Sequence, residues 1–194
     1  SPTSFGQSPN WEQILQVGAI VADESLQATN KTMDEFCRLR TSIIPQPGAL
    51  LTTGRGIRSV LQAKHSSYDL VSLINKTFKS WKDESSNAVF IGHNSIEFDE
   101  SVLEYNLFNN LFFPYITRPN RGDTLNLARG MYSLNPSSMT IGSNEKGSQI
   151  FRLGVLAELN GLPVKSAHDA LSDVRTTISW QSLFMMLIRR LGSS

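Results

Sequence analysis

Two dense stretches of this sequence combine carboxylates with a histidine or an amide. Residues 92–100 include Asn94, Phe98 and Asp99, and residues 166–176 include His168 with Asp173 five positions later. Carboxylates on separate elements facing one histidine suit Mg²⁺ or Mn²⁺, because these ions prefer oxygen ligands and share their coordination shell with substrate phosphate. The two stretches therefore indicate metal-assisted hydrolysis of a phosphate ester.

The first stretch follows the apolar run Ala-Val-Phe-Ile-Gly at residues 88–92, which predicts a short buried parallel strand. Asn94 and Asp99 then lie at the carboxyl end of that strand, where open α/β sheets bind their ligands. A structural alternative stays open for each residue. Asp99 could stabilise a helix N-terminus, and Asn94 could cap a turn.

The second stretch precedes the last helix, which the pattern predicts over residues 169–191. Asp169 is a natural N-cap, so His168 falls just outside the helix and Asp173 falls within its first turns. An unperturbed histidine pKa near ~6.5 suits a general base that takes a proton from water. The alternative is a surface histidine beside a carboxylate that the helix dipole favours.

The composition narrows the class of protein. The 40% hydrophobic and 18% charged content is that of a globular domain, and the formal net charge of +1 argues against a protein that coats duplexes. Any nucleic-acid contact must therefore be local. The single cysteine excludes an internal disulfide and a cysteine-rich zinc site. The sequence contains no run of about 18 apolar residues, so it predicts no membrane-spanning helix.

The remaining pattern predicts one α/β domain with a mixed sheet. An apolar run at residues 14–22 predicts a strand that returns over 35–40 after a longish connection, and residues 49–54 predict a short helical turn. Helices are predicted to begin at Ser67 and to cover residues 99–110 and 152–159. Residues 123–129 fit a strand or a helix, and residues 135–149 predict a long loop.

Taken in order, these stretches resemble the catalytic domains of the exodeoxyribonuclease I family, within the DEDDh superfamily of 3′→5′ exonucleases. The resemblance runs along nearly all 194 residues and includes residues 45–49 with 53–54, 93–94 with 98–100, 121–125, 151–153, and 167–170 with 173. It implies an RNase H-like fold, a mixed β-sheet flanked by helices. It also implies metal-dependent removal of nucleoside 5′-monophosphates from the 3′ end of single-stranded DNA.

In this family four acids bind two Mg²⁺ ions, for which Mn²⁺ can substitute. Asp99 matches the third acid, Asp173 the fourth, and His168 the general base. The first two belong to an Asp-x-Glu-Thr motif on the central strand, and no Asp-x-Glu occurs in this sequence. We therefore expect one exonuclease domain over residues 1–194 without its first strand, with Ser1 falling directly after that motif. A naturally inactive piece is the alternative.

The resemblance also implies contacts with the 3′-terminal nucleotide. Thr52, Thr53 and Gly54 would cradle it and Leu51 would wedge against its base, a contact that tolerates any base. The leucine could equally belong to the core.

Other polar residues complete the expected site. We expect substrate contacts from Asn94, Phe98 and Arg152. Asp123 is expected to support these residues without contacting the metal or the substrate, or to be structural. Arg118, Arg121 and Arg152 could each contact phosphates, be a solvated charge or form an intramolecular ion pair. His65 is expected at the surface, and no partner for His93 is apparent.

Two other functions stay open. The fold could serve as a catalytically inactive nucleic-acid-binding module, or as an RNA or proofreading exonuclease of the same superfamily, since RNA is distinguished by contacts to its 2′-hydroxyl. The resemblance implies a cytoplasmic protein without membrane contact. Its implied partners are the single-stranded DNA end and additional C-terminal domains or DNA-repair proteins.

Overall fold

The computed structural model describes residues 13–40, 57–85, 87–164 and 169–191. The strands are β1 (Gln16–Ala22), β2 (Ala28–Phe36), β3 (Phe90–Gly92), β4 (Arg121–Asp123), β5 (Gly142–Ser143) and β6 (Gln149–Ile150). The helices are α1 (Ile57–Leu61), α2 (Ser67–Glu84), α3 (Glu100–Asn109), α4 (Thr124–Leu134), α5 (Leu153–Leu159) and α6 (Ala170–Leu191), with a π-helical turn at Ser95–Asp99 and a 3₁₀ turn at Pro136–Ser138. No described helix has the length and apolarity that a bilayer crossing requires.

The first two strands form an antiparallel hairpin in which Gln16 pairs with Phe36 and Ile20 with Thr32. The return strand was predicted over residues 35–40, which is wrong, because β2 begins at Ala28. The connection is short, since the Asp23 carboxylate accepts hydrogen bonds from the backbone N–H groups of Ser25 and Gln27, both at 2.9 Å. This Asx-type turn reverses the chain within five residues.

Helix α2 begins where the sequence predicts it. Ser66 is its N-cap, and Ser66 and Asp69 form a reciprocal capping box. The predicted apolar face packs inward, with Leu70 and Ile74 fully buried and Phe78 nearly so. This face joins β1 and α3 in one core cluster.

The site depends on a second pair of strands. Strand β3 pairs in parallel with β4, so both strands end at the same edge of the fold. The predicted strand at residues 88–92 is shorter than expected, and Asp123 ends β4 before α4 begins. The long loop predicted at residues 135–149 contains the small hairpin β5–β6, which was not predicted.

Helix α6 packs against β1 through a close backbone approach at Gly18. A Cβ atom at this position would lie 2.6 Å from the carbonyl carbon of Ala170 and 2.7 Å from the amide nitrogen of Leu171. The neighbouring Val17 faces the opposite core cluster, formed with α2 and α3. Strand β1 therefore lies between two helical layers, and Gly18 sets how closely α6 can approach.

Replacing Gly18 with alanine is expected to destabilise the fold by about 1–3 kcal/mol, because the added methyl meets backbone that cannot move aside. Gly130 is the matched control, since a Cβ there meets nothing within 4 Å and the residue lies inside α4. Gly130→Ala is expected to be neutral or stabilising by up to about 1 kcal/mol. Urea denaturation of both variants measures this, and equal destabilisation would contradict the packing described.

Candidate active site

The segment after β3 is held in shape by one buried carboxylate. Asp123 accepts hydrogen bonds from the backbone N–H groups of Asn94 (2.8 Å) and Ile96 (3.1 Å), and also from that of Leu125 (2.9 Å). Asn94 adopts a left-handed conformation with φ of 61°, a region that asparagine tolerates better than most residues. The chain then enters the π-helical turn that ends at Asp99. Asp123 thereby fixes the backbone that carries Asp99.

The start of α6 is held by a second set of polar contacts. The Asp169 carboxylate accepts from the backbone N–H of Ser172 at 3.1 Å, which confirms the predicted N-cap. The same carboxylate accepts from the side-chain amide of Gln16 at 3.0 Å, a residue of β1. Asp173 lies in the first turn of α6, where sequence reasoning placed it. Its position is therefore tied to β1.

Asp99 and Asp173 line the same cavity, here called the central cleft. This cavity of about 1240 Å³ is bordered by β1, β3, α2, α5 and α6. Asn94 and Arg152 also line it. The cleft is thus lined by four residues that the sequence singled out from three separate segments.

Other predicted residues lie elsewhere. Phe98 is half-buried and, like Asp123, is not among the described residues that line the cleft. His168, Leu51, Thr52, Thr53 and Gly54 lie outside the described residues, so their proposed roles stay predictions from the sequence.

Two arginines that could have contacted phosphates are paired within the protein. Arg118 lies 2.8 Å from Glu104 and over the ring of Tyr115, with its guanidinium carbon 4.3 Å from the ring centroid. Arg121 lies 2.7 Å from Glu100, whose side chain is only 7% exposed. Of the alternatives for these two arginines, the intramolecular ion pair is the one observed.

His93 makes contacts that the sequence did not reveal. Its Nε2 lies 2.8 Å from the carbonyl oxygen of Phe151, and its Nδ1 lies 2.9 Å from the hydroxyl of Thr124. Burial lowers the pKa of this histidine below its usual value. The neutral ring therefore carries its proton on Nε2, because a carbonyl can only accept. Its Nδ1 faces the Thr124 hydroxyl, which also lies 3.2 Å from the carbonyl oxygen of Gly92. His93 joins the end of β3 to the segment before α5.

The lowered pKa of His93 makes stability depend on pH. Between the pKa of His93 in the folded protein and its unfolded value near ~6.5, the unfolded chain binds more protons than the folded one. The contribution of neutral His93 to the free energy of unfolding is therefore complete above pH ~6.5 and is lost as the pH falls through the folded pKa. Urea denaturation at pH 7.5 and 5.5 is expected to show a larger acid loss in the wild type than in His93→Gln. If the free energy of unfolding depends on pH identically in the two proteins, His93 does not make the described contribution to stability.

His65 was expected at the surface, which is wrong. Its ring Nε2 lies 2.9 Å from a carboxylate oxygen of Glu35, and its side chain is only 14% exposed. Its backbone carbonyl accepts from the N–H of Arg38 at 2.7 Å. The residue therefore ties the start of α2 to the end of β2.

The described residues match only part of a two-ion site. Asp99 and Asp173 provide the oxygen ligands that Mg²⁺ prefers. However, no three His, Cys, Asp or Glu side chains gather in a metal-binding group within the described segments. Two closely spaced dications need more negative ligands than this pair supplies, so the described residues do not by themselves fit two ions.

Sequence comparison decides the family. An exonuclease family, RNase_T, matches residues 4–180. The chain belongs to this RNase T exonuclease family. Exodeoxyribonuclease I of Escherichia coli K12 is 28% identical over 184 residues, and that of Haemophilus influenzae is 26% identical over the same length. Both alignments cover 93% of this chain but only 38% of the relative.

Solved structures of exonuclease I share this fold. The E. coli enzyme in complex with a dT13 oligonucleotide superposes with a TM-score of 0.86 at 26% identity, covering the whole of this chain and 41% of that one. The enzyme from Methylocaldum szegediense gives a TM-score of 0.83 at 26% identity, covering 96% of this chain and 39% of that one. The predicted RNase H-like fold is confirmed, as is the homology to the DEDDh catalytic region of exonuclease I.

Proposed function

We propose that this chain forms the catalytic part of a metal-dependent exonuclease that hydrolyses single-stranded DNA from its 3′ end and releases nucleoside 5′-monophosphates. The observation that carries the proposal is that the Asp99 and Asp173 carboxylates line one cleft, which also borders the carboxyl end of β3. DEDDh exonucleases generally use divalent metals. The oxygen chemistry of these two side chains supports Mg²⁺, with Mn²⁺ as a substitute, as the cofactor.

The choice of single-stranded DNA is supported by the relatives. They carry the name exodeoxyribonuclease I, and the E. coli structure was solved with a DNA oligonucleotide. In this chain the exposed Arg152 lines the cleft, as Asn94 does, and offers a cation for a phosphate. We assign substrate contacts to Asn94, Phe98 and Arg152, and the cradle for the terminal nucleotide to Leu51, Thr52, Thr53 and Gly54.

We assign His168 as the general base that takes a proton from the attacking water. Asp169, which follows it in sequence, is anchored to Gln16 of β1. Asp123 has a supporting role in this proposal, since it orients the backbone before Asp99 through two hydrogen bonds, from the N–H groups of Asn94 and Ile96. Additional C-terminal domains or DNA-repair proteins are proposed partners, and the cytoplasm is the proposed location.

The test is digestion of 5′-labelled single-stranded DNA by the protein purified from its native source, with Mg²⁺ and then with EDTA. We expect a Mg²⁺-dependent ladder that shortens from the 3′ end, with nucleoside 5′-monophosphates as products. Matched single-stranded RNA and blunt duplex DNA report substrate preference. Internal cutting, or digestion that EDTA does not stop, would refute the proposal.

A second candidate is a nucleic-acid-binding module without catalysis. It is favoured by one observation, that the described residues hold no cluster of three metal-binding side chains. This candidate predicts retained DNA binding in EDTA and no cleavage under any metal condition. The same labelled DNA separates the two functions in a single experiment.

A further inference from the structure

Gln16 is a buried glutamine at the start of β1, and its side chain contacts two carboxylates. The amide nitrogen lies 2.9 Å from a carboxylate oxygen of Asp34 on β2 and 3.0 Å from one of Asp169, the N-cap of α6. The residue is only 4% exposed. An amide nitrogen carries two N–H donors and an ionised carboxylate only accepts, so each donor serves one carboxylate. Gln16 therefore joins β1 to β2 and to the start of α6.

The other end of the same amide also faces α6. The side-chain oxygen of Gln16 lies 3.4 Å from the backbone nitrogen of Ala170, the first residue of the helix. Alternate residues of a strand share a face, so Gln16 and Gly18 lie on the same side of β1. Gly18 is the position at which the backbone of Ala170 and Leu171 leaves no room for a Cβ atom. One polar contact and one close backbone contact therefore fix the same end of α6.

Asp169 connects Gln16 to the first turn of α6. One oxygen of its carboxylate accepts from Gln16, and the other accepts from the backbone N–H of Ser172 at 3.1 Å. Its backbone carbonyl accepts from the N–H of Asp173 at 2.9 Å. The Asp173 side chain lines the central cleft, whereas Gln16 is not among the described residues that do so. Gln16 is thus linked to Asp173 through Asp169, from outside the cleft.

The chemistry of this contact requires a donor at position 16. Asp34 and Asp169 each have an oxygen within hydrogen-bond distance of the same nitrogen, so two like charges lie close together. A hydrophobic side chain of similar size would leave both carboxylates without this donor. A glutamate would add a third negative charge between them. A neutral side chain with two N–H groups satisfies both carboxylates at once.

We propose that Gln16 is a positioning residue, whose side-chain amide orients the first turn of α6 and, through Asp169, holds the Asp173 carboxylate in the central cleft. The effect on catalysis rests on the proposed exonuclease function, whereas the orienting contact is present without substrate. A displacement of about 1 Å in a reacting group can lower a rate by about 100-fold. Loss of the Gln16 amide should therefore reduce turnover without a matching loss of DNA binding.

The test is Gln16→Glu, which keeps the length of the side chain but removes both N–H donors. Hydrogen exchange of the backbone amides of Ser172 and Asp173 is expected to become about tenfold faster relative to the amides of α2, without any substrate present. Turnover of labelled single-stranded DNA is expected to fall by about 10- to 100-fold, with the dissociation constant for DNA within about twofold of the wild type.

Two outcomes would overturn the proposal. If exchange of these amides stays at the wild-type rate, Gln16 does not orient α6. If turnover stays at the wild-type rate while exchange accelerates, this orientation has no effect on the reaction. The exchange measurement needs no activity, so a wild type that does not digest DNA would refute the proposed function, while exchange would still decide whether Gln16 orients α6.

Gln13→Glu is the matched control, because Gln13 is also a glutamine that is 4% exposed. Its amide nitrogen lies 2.7 Å from the backbone carbonyl oxygen of Arg38, and its side-chain oxygen accepts from the N–H of Arg40 at 3.0 Å. These contacts tie it to the segment after β2. Gln13→Glu should lower the free energy of unfolding without selectively accelerating exchange in the first turn of α6. Equal selective acceleration in both variants would show that Gln16 has only a general role in stability.

A double variant, Gln16→Glu with Asp169→Asn, reverses the donor and the acceptor. The new amide at position 169 can donate to the new carboxylate at position 16 while its oxygen still caps α6, since asparagine and aspartate are comparable N-caps. Asp34 is exposed, so solvent screens the remaining repulsion. We expect slow exchange of the Ser172 amide and recovery of turnover by about tenfold over the single variant. A folded double variant without this recovery would contradict the proposal.

Discussion

Replacing Asp99 with asparagine is expected to reduce exonuclease turnover by about 100-fold or more, while the thermal midpoint changes little. The substitution keeps the side-chain shape but removes the negative charge that faces the central cleft. A loss of about 2.7 kcal/mol in transition-state stabilisation corresponds to that 100-fold. Turnover of the wild type and the variant is measured on labelled single-stranded DNA, over a range of Mg²⁺ concentrations.

Glu97→Gln is the matched control for this prediction. Glu97 belongs to the same π-helical turn and also loses a carboxylate, but its side chain is exposed and does not line the cleft. Its turnover should stay within about twofold of the wild type, as surface substitutions usually have small effects. If Asp99→Asn retains wild-type turnover and Mg²⁺ dependence, its assignment as a metal ligand is wrong.

Replacing His168 with alanine is expected to lower turnover by about 10²- to 10⁴-fold, the usual contribution of a general base. Binding of single-stranded DNA should change little, because the proposed base acts on water and not on the DNA. Single-turnover cleavage and fluorescence anisotropy separate these two effects. The predicted signature is a split in which the rate constant falls while the dissociation constant for DNA stays the same.

The pH dependence gives an independent check on His168. In the wild type the rate should fall on acidification as the base becomes protonated, and that limb should disappear from the residual rate of His168→Ala. If His168→Ala retains full turnover, or loses DNA binding in proportion to its loss of rate, the assignment of His168 as general base is wrong.

Local sequence signals predicted the elements that follow strong chemical rules. The reciprocal pair Ser66 and Asp69 caps α2, and Asp169 caps α6 by accepting from the N–H of Ser172. The apolar run before Gly92 contains the short strand β3, although its pairing shortens it to three residues. These features depend on neighbours within a few residues, so the sequence displays them directly.

Features that depend on distant partners were not predictable in the same way. Strand β2 is mostly exposed, with Met33 its only buried residue, so it lacks the apolar period that marks a strand. The partners of His93 lie 31 and 58 residues away, and the Asp123 carboxylate binds backbone groups nearly 30 residues upstream. Only the folded chain brings these groups together, whereas Asp99 and Asp173 were identified because their local contexts match a known pattern.

The most direct test of the proposed function is digestion of 5′-labelled single-stranded DNA by the wild type and by its Asp99→Asn and Asp173→Asn variants, over a range of Mg²⁺ concentrations. Both carboxylates line the central cleft. The proposed function predicts Mg²⁺-dependent shortening from the 3′ end by the wild type and its loss in both variants. Digestion by the wild type that EDTA does not stop, or variants that digest the DNA as fast as the wild type, would contradict it.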